Sequence, residues 1–160
     1  MESIKNLGNS IRRENIKTPE GGEVSFSPER GGIITSLKLD GKEILYLDEE
    51  TFNNLNSSVK GGIPILFPNA GPIPDEIKTE EYANLKQHGF ARDSKWVGEK
   101  NIDGFREVLN SDENTKSMYM NDFKFTLEGK FENANSFTIK KNIDNLNWSK
   151  IENNFTNAIK

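Results

Sequence analysis

The sequence contains a single histidine, His88, and its neighbours are residue types common around polar ligands; residues 85–92 read LKQHGFAR. An imidazole can both donate and accept a proton near neutral pH, which makes His88 a candidate catalytic group. Gly89 allows close approach of backbone, Phe90 offers an apolar or sugar-stacking wall, and Arg92 adds a fixed charge. The alternative is a histidine that only bonds backbone and fixes a loop. The neighbouring residues favour a site for a polar ligand.

Two cations are candidates for binding an anionic group such as a phosphate. The guanidinium of Arg92 offers a bidentate fork that matches a phosphate, although pairing with Asp93 or Glu99 at a strand end explains it equally well. Lys60 could face a substrate oxygen or phosphate, and the alternative is a solvated loop lysine. Both are therefore predicted as substrate-binding residues with these alternatives open.

The glycines that follow Lys60 do not form a nucleotide-binding loop, because neither GxxxxGK[ST] nor GxGxxG occurs in the sequence. They more simply permit a tight passage of backbone beside a site, and Gly62 is included among the substrate-binding candidates. No GxSxG motif supports a serine nucleophile. An acidic loop is interpreted as solvated surface rather than as a carboxylate pair or metal site; it carries Asp75, Glu76, Glu80 and Glu81.

Composition excludes several classes of protein. The chain has 160 residues, a net charge of −4 and no cysteine, so it offers no basic surface for nucleic acid and no disulfide or thiolate metal site. Its hydrophobic fraction of 33% lies below the ~45–50% usual for a globular domain, which indicates a thin or incomplete core. Its apolar runs are too short to cross a bilayer, and residues 1–5 lack a signal-peptide pattern. We expect a cytoplasmic protein that contacts neither nucleic acid nor membrane.

The hydrophobic pattern predicts an antiparallel all-β chain with a long irregular centre. Alternation predicts strands over 24–27, 33–39, 43–46, 95–98, 104–109, 123–131 and 136–141. An Asp40-Gly41 pair predicts a type I′ turn, and a helical turn with Ser111 or Asp112 as N-cap is expected over 111–119. Residues 61–92 are punctuated by Pro and Gly, and such a long irregular segment usually carries function.

Three motifs together resemble the aldose 1-epimerase (galactose mutarotase-like) family, nearest its bacterial homologue and hexose-6-phosphate mutarotase branch. They are RGGIITS at 30–36, GGIPILFP at 61–68 and HGFAR at 88–92. The resemblance covers about 20–140 and implies a β-sandwich with a sugar site on a concave face, within one mutarotase-like domain over 1–160 whose residues 142–160 form a divergent polar tail. It implies acid–base interconversion of α and β anomers of an aldose or aldose phosphate without a cofactor, since proton transfers suffice.

The resemblance also assigns residues. His88 matches the family's first histidine, which holds the sugar near its ring oxygen, and Arg92 is a phosphate contact in the hexose-phosphate branch. Lys60 stands where relatives usually have arginine, so charge is kept but the fork is lost. The family's second histidine, in a His-Pro-Tyr-Phe-like motif, and its glutamate base have no matches here.

We therefore expect an N-terminal half of the mutarotase fold, with catalysis impaired by truncation. The alternatives are a carbohydrate-binding module without turnover and an inactive fragment. Half a sandwich leaves strand edges exposed, which predicts self-association.

Overall fold

The computed structural model describes residues 10–146, which form two four-stranded antiparallel sheets. The first sheet has the order β1 (Glu14–Lys17), β2 (Glu23–Ser27), β3 (Ile33–Leu39) and β4 (Lys42–Glu43). The second sheet has the order β5 (Val97–Lys100), β6 (Gly104–Asn110), β7 (Phe123–Asn133) and β8 (Ser136–Asn145). Two short helices, α1 (Glu49–Asn53) and α2 (Glu113–Lys116), complete the regular elements. The predicted antiparallel all-β class is confirmed.

The core lies where the inner faces of the two sheets meet. Phe26 on β2 stacks on Phe105 of β6 with ring centroids 4.1 Å apart, and both rings are fully buried. On β7 every second residue from Phe123 to Phe131 is buried, which is the alternation expected of a strand with one covered face. Aromatic rings supply much of the apolar area per residue, so a modest hydrophobic fraction still fills this interface.

The hairpin between β3 and β4 has the predicted turn but a shorter returning strand. Asp40 and Gly41 have φ of 49° and 72°, as a type I′ turn requires. The strand predicted over 43–46 ends at Glu43, because the Glu43 carboxylate accepts hydrogen bonds from the backbone N–H groups of Leu37 and Leu45, both at 3.0 Å. The Glu43 side chain thus binds backbone N–H groups that would pair with backbone carbonyls if β4 continued.

Strand boundaries in the second sheet also differ from the predicted ones. β5 begins at Val97 because Trp96 leaves the sheet, donating its backbone N–H to Pro28 O at 2.8 Å. β8 continues to Asn145, paired in register with β7 as far as Phe123. The helical turn is confirmed as α2, with Asp112 as N-cap in a capping box with Thr115. The predicted polar tail lies outside the described residues from position 147 onward.

The segment between the sheets, residues 61–92, is irregular as predicted. It contains three single-turn 3-10 helices, Asp75–Ile77, Glu80–Tyr82 and Ala91–Asp93. Across residues 10–146, helices of the length and apolarity needed to cross a membrane are absent. The irregular segment runs from the edge of β3 to the start of β5, and it carries the HGFAR residues.

Candidate functional site

A pair of backbone contacts, called the clamp here, joins the GGIPILFP and HGFAR motifs of the irregular segment. Phe67 pairs with Gly89 in an isolated parallel bridge, and the Phe67 carbonyl oxygen accepts hydrogen bonds from Phe90 N (2.9 Å) and Ala91 N (3.2 Å). A Cβ atom at Gly89 would lie 2.0 Å from that oxygen, and Gly89 has φ of 66°. Only glycine fits there, so the clamp fixes the position of the preceding residue, His88.

His88 occupies the third position of a tight turn with a left-handed backbone. The turn is closed by Gly89 N donating to Lys86 O at 3.0 Å, and Asn69 Nδ2 donates to the same oxygen at 2.9 Å. His88 has φ of 72°, a region that favours Gly or Asn at this position of a turn. A strained residue held by its surroundings is common at functional sites.

The imidazole of His88 is half-buried, and its Nδ1 atom is buried without a hydrogen-bond partner among the described residues. The loop-fixing alternative expected from the sequence has no support from Nδ1, which bonds no backbone group of the described residues. A buried nitrogen with no partner is instead free to bind a ligand hydroxyl, since an unpaired polar atom is costly unless something satisfies it.

Arg92 is anchored by its backbone and leaves part of its guanidinium unsatisfied. Its carbonyl oxygen lies so close to Gly31 that a Cβ there would fall 1.9 Å away. Its Nε atom is buried and lacks a hydrogen-bond partner within residues 10–146. The ion pairs with Asp93 and Glu99 considered from the sequence are not formed. Part of this guanidinium therefore has no hydrogen-bond partner within the described residues.

Arg30 faces the same small cavity as Arg92, of about 40 Å³, whose other lining residues include Ser58, Val59 and Pro64. Arg30 is 6% exposed, and its guanidinium donates to the carbonyl oxygens of Phe52 (3.1 Å), Asn54 (2.9 Å) and Ser57 (2.6 Å). Arg30 thus holds the loop that leads to Lys60. Its role was not predicted from the sequence, because the carbonyls it binds lie more than twenty residues away.

Lys60 and Gly62 lie where the chain enters the irregular segment and passes beside β3. The Lys60 backbone is fixed by bonds to Asp48 N (2.9 Å) and Thr51 Oγ1 (3.1 Å), while its side chain is exposed. Gly62 is half-buried, and a Cβ there would lie 2.7 Å from Ile34 O. The lack of a side chain at Gly62 therefore lets the backbone approach β3 closely. Ser58 and Val59 line the cavity that Arg92 and Arg30 share, whereas Lys60 does not.

A larger groove of about 500 Å³ adjoins the clamp on its other side. Phe90 is 5% exposed, and its ring packs edge-on against Phe67 at 5.8 Å, so it belongs mainly to the core. Its remaining surface lines the groove. The polar and charged residues around the groove are Lys86, Asp93, Ser94, Lys95, Asp112, Asn114 and Thr115. The volume is in the range of small-molecule sites, and the lining offers donors and acceptors suited to sugar hydroxyls.

One buried carboxyl lies apart from these residues. Glu107 on β6 is 0% exposed, and neither oxygen has a hydrogen-bond partner within the described part of the chain. Burial raises the pKa of Glu107 to about 9, so this side chain is protonated at neutral pH. It faces Gly32 and Trp96, since a Cβ on Gly32 would lie 3.2 Å from Glu107 Oε2 and 3.1 Å from the indole. The sequence could have indicated this buried carboxyl, because Glu107 falls between Phe105 and Leu109 on the inward-facing positions of β6.

The acidic residues of the irregular segment are all exposed, on two of the single-turn helices. Within residues 10–146 no group of three His, Asp or Glu side chains is arranged to hold a metal ion.

Comparison with known proteins agrees with the motifs. The family model for aldose 1-epimerase matches residues 14–157. A curated protein of Cenchrus ciliaris, named "Putative glucose-6-phosphate 1-epimerase", is 39% identical over 67 residues, which are 41% of this chain and 18% of that protein.

Two solved structures share the fold. The Slr1438 protein from Synechocystis sp. PCC 6803 is 30% identical with a TM-score of 0.79, covering 91% of this chain and 53% of its own. A "putative mutarotase (YeaD)" from Salmonella typhimurium is 25% identical with a TM-score of 0.64, covering 82% and 43%. The chain thus spans about half the length of these solved relatives. The motifs, the two-sheet fold and the family match agree: the chain belongs to the aldose 1-epimerase family.

Proposed function

We propose that this protein binds an aldose or aldose phosphate beside His88 and interconverts its α and β anomers by acid–base ring opening. The observation that carries the proposal is the half-buried imidazole with an unpartnered Nδ1, held at φ 72° by the clamp at Gly89. Membership of the aldose 1-epimerase family supplies the reaction class. The groove of about 500 Å³ is in the size range of small-molecule sites; Gly89 and Phe90, which follow His88, line it, whereas His88 and Arg92 do not.

In this proposal His88 bonds the sugar near its ring oxygen and moves a proton there. When the ring opens, the bond from C1 to the ring oxygen breaks, the C1 hydroxyl loses its proton to a base, and the ring oxygen gains one. Closure on the other face of C1 reverses these transfers, so atoms and charge balance without a cofactor. A positioned acid–base group contributes about 10² to 10⁴ in rate.

Arg92 is proposed as the contact for a phosphate on the sugar. Its buried Nε has no partner within the described residues, and the same cavity is lined by the cation of Arg30 and by the carboxylate of Asp93. The curated relative is named for glucose 6-phosphate, which makes that compound the first substrate to test. Lys60 is exposed outside the cavity, and its positive charge would attract an anionic sugar over a distance set by ionic strength.

A second candidate function is sugar binding without turnover. It is kept as an alternative because these 160 residues contain a single histidine, where the family resemblance implies two.

Magnetisation-exchange NMR on the purified chain separates the two functions. Glucose, galactose and glucose 6-phosphate are mixed with protein, and the rate of α/β exchange is compared with the spontaneous rate. Exchange above the spontaneous rate, lost in His88→Asn, supports the enzyme. If exchange stays spontaneous while sugar shifts the imidazole resonances, the binding function holds instead. If neither changes, both proposals fail. Assignment is direct, because only one histidine contributes imidazole signals.

Self-association through an exposed strand edge is also part of the proposal. Unpaired edge N–H and C=O groups are templates for pairing with another chain.

A further inference from the structure

β8 is the longest sheet edge among the described residues. The other edge strands, β1, β4 and β5, have four, two and four residues, whereas β8 has ten. Only β7 pairs with β8 within residues 10–146. Proteins usually blunt such edges by shortening or bulging them, and β8 shows neither along its pairing with β7 from Phe137 to Asn145.

The inner face of β8 is also less covered than that of its neighbour. Phe125 and Leu127 on β7 are buried, yet their cross-strand neighbours Ile143 and Lys141 are exposed, Ile143 by 47%. Phe137 and Ile139 on the same face still pack against the core, so the cover of β8 is lost only in its C-terminal half. An apolar side chain at the uncovered end of a long edge favours a partner that continues the sheet.

Charges on the outer face of β8 point to the identity of that partner. Lys140 and Asp144 lie on the same face, four residues apart; each lies opposite a residue of opposite charge on β7, Glu128 and Lys124 respectively, without an ion pair within the described part of the chain. Asp144 accepts only a hydrogen bond from Asn142, at 3.0 Å. A strand with a cation and an anion spaced symmetrically about a central residue is complementary to its own antiparallel copy.

We infer that β8 pairs antiparallel with β8 of a second copy of this chain, about a two-fold axis beside Asn142. In this register Lys140 lies opposite Asp144 of the second copy, and the reverse pair forms by symmetry. On the inner face Ile143 lies opposite Lys141 of the second copy, whose aliphatic stem covers it. The result is a continuous eight-stranded sheet. Shifting the register by two residues in either direction separates the charged pair, so the charges specify one alignment.

This inference rests on the self-association proposed above and is independent of anomer exchange. The lysines have another explanation, since charged residues on an edge can also discourage pairing. The experiment below decides between the two.

Sedimentation equilibrium of the full 160-residue chain and its charge variants tests the pairing. We expect the wild-type chain to dimerise, and Lys140→Asp or Asp144→Lys alone to weaken the dimer by about tenfold, since each puts like charges opposite each other twice. An equimolar mixture of the two variants should recover wild-type affinity as a heterodimer, as should the double variant Lys140→Asp/Asp144→Lys. Lys78→Asp, on an exposed residue of the irregular segment, controls for net charge.

A wild-type chain that stays monomeric at all concentrations overturns the inference, as do single variants that dimerise like the wild type. Failure of the mixture to recover affinity overturns the register. Circular dichroism of each variant verifies folding, and exchange rates of sugar anomers on the same samples report on the proposed function separately.

Discussion

The backbone of Gly89 touches the carbonyl oxygen of Phe67 closely enough that no side chain fits between them. This contact brings the residues after Gly62 to the HGFAR residues, and it sets where the imidazole of His88 lies. The parts of the candidate site depend on one another through the backbone more than through side-chain bonds.

Substituting Gly89 should therefore damage both stability and the site. Gly89→Ala adds a clash with Phe67 O to a left-handed backbone that alone costs about 1–2 kcal/mol. Gly41→Ala is the matched control, because Gly41 has φ of 72° with open space around its Cα. We expect denaturant unfolding to show a clearly larger loss for Gly89→Ala than for Gly41→Ala. Equal losses would mean that the contact with Phe67 is relaxed in solution.

Because the backbone at His88 is left-handed, different replacement residues should change the free energy of unfolding by different amounts. Asn tolerates positive φ, so His88→Asn should change the free energy of unfolding little, whereas the β-branched His88→Val should cost about 1–2 kcal/mol. Both remove the imidazole, so both should abolish sugar-dependent effects. Thermal unfolding and the exchange experiment together check this. A stable Val variant would contradict the strained turn.

The buried carboxyl of Glu107 should make stability fall as pH rises. Burial raises its pKa to about 9 from an ordinary value near 4.5, so between these values the folded protein retains a proton that the unfolded chain has released. The free energy of unfolding then decreases by up to about 1.4 kcal/mol per pH unit over this window, or about 3 kcal/mol by pH 7. Below pH 4.5 the effect vanishes.

Glu107→Gln removes this titration, so its stability relative to wild type should grow steadily from pH 5 to pH 9. Glu107→Leu should do the same and add stability by removing an unpartnered polar group. Glu128→Gln, on the exposed face of β7, is the control. Urea titrations at several pH values measure all four proteins. Parallel pH profiles for wild type and Glu107→Gln would show that a water or ligand satisfies this carboxyl.

Arg92 should determine preference for phosphorylated sugar. Arg92→Lys keeps the charge but loses the planar fork, so affinity for glucose 6-phosphate should fall about tenfold while affinity for glucose changes less than twofold. Arg106→Lys, on the outer face of β6, controls for a general effect of charge. Isothermal titration calorimetry makes the comparison. An equal loss for both sugars would place Arg92 away from the phosphate.

The sequence predicted best where structure is local. Alternation located most strands, and Asp40-Gly41 identified its turn, because period and turn chemistry involve only neighbouring residues. β1 was not predicted, since ENIK has no clear alternation and its pairing with β2 supplies the strand. HGFAR pointed to His88 by type and resemblance. The partners that shape the site, above all Phe67 for Gly89, follow from contacts that residue spacing alone does not encode.

The binding of Arg30 to four carbonyl oxygens has a thermodynamic consequence for the cavity that it shares with Arg92. Those bonds hold residues 51–57 without help from any carboxylate, so salt should loosen the loop little. An anion bound as proposed at Arg92 would meet a wall whose conformational entropy was already lost when the chain folded. We therefore expect affinity at this cavity to depend on desolvation of the anion and not on ordering of the protein.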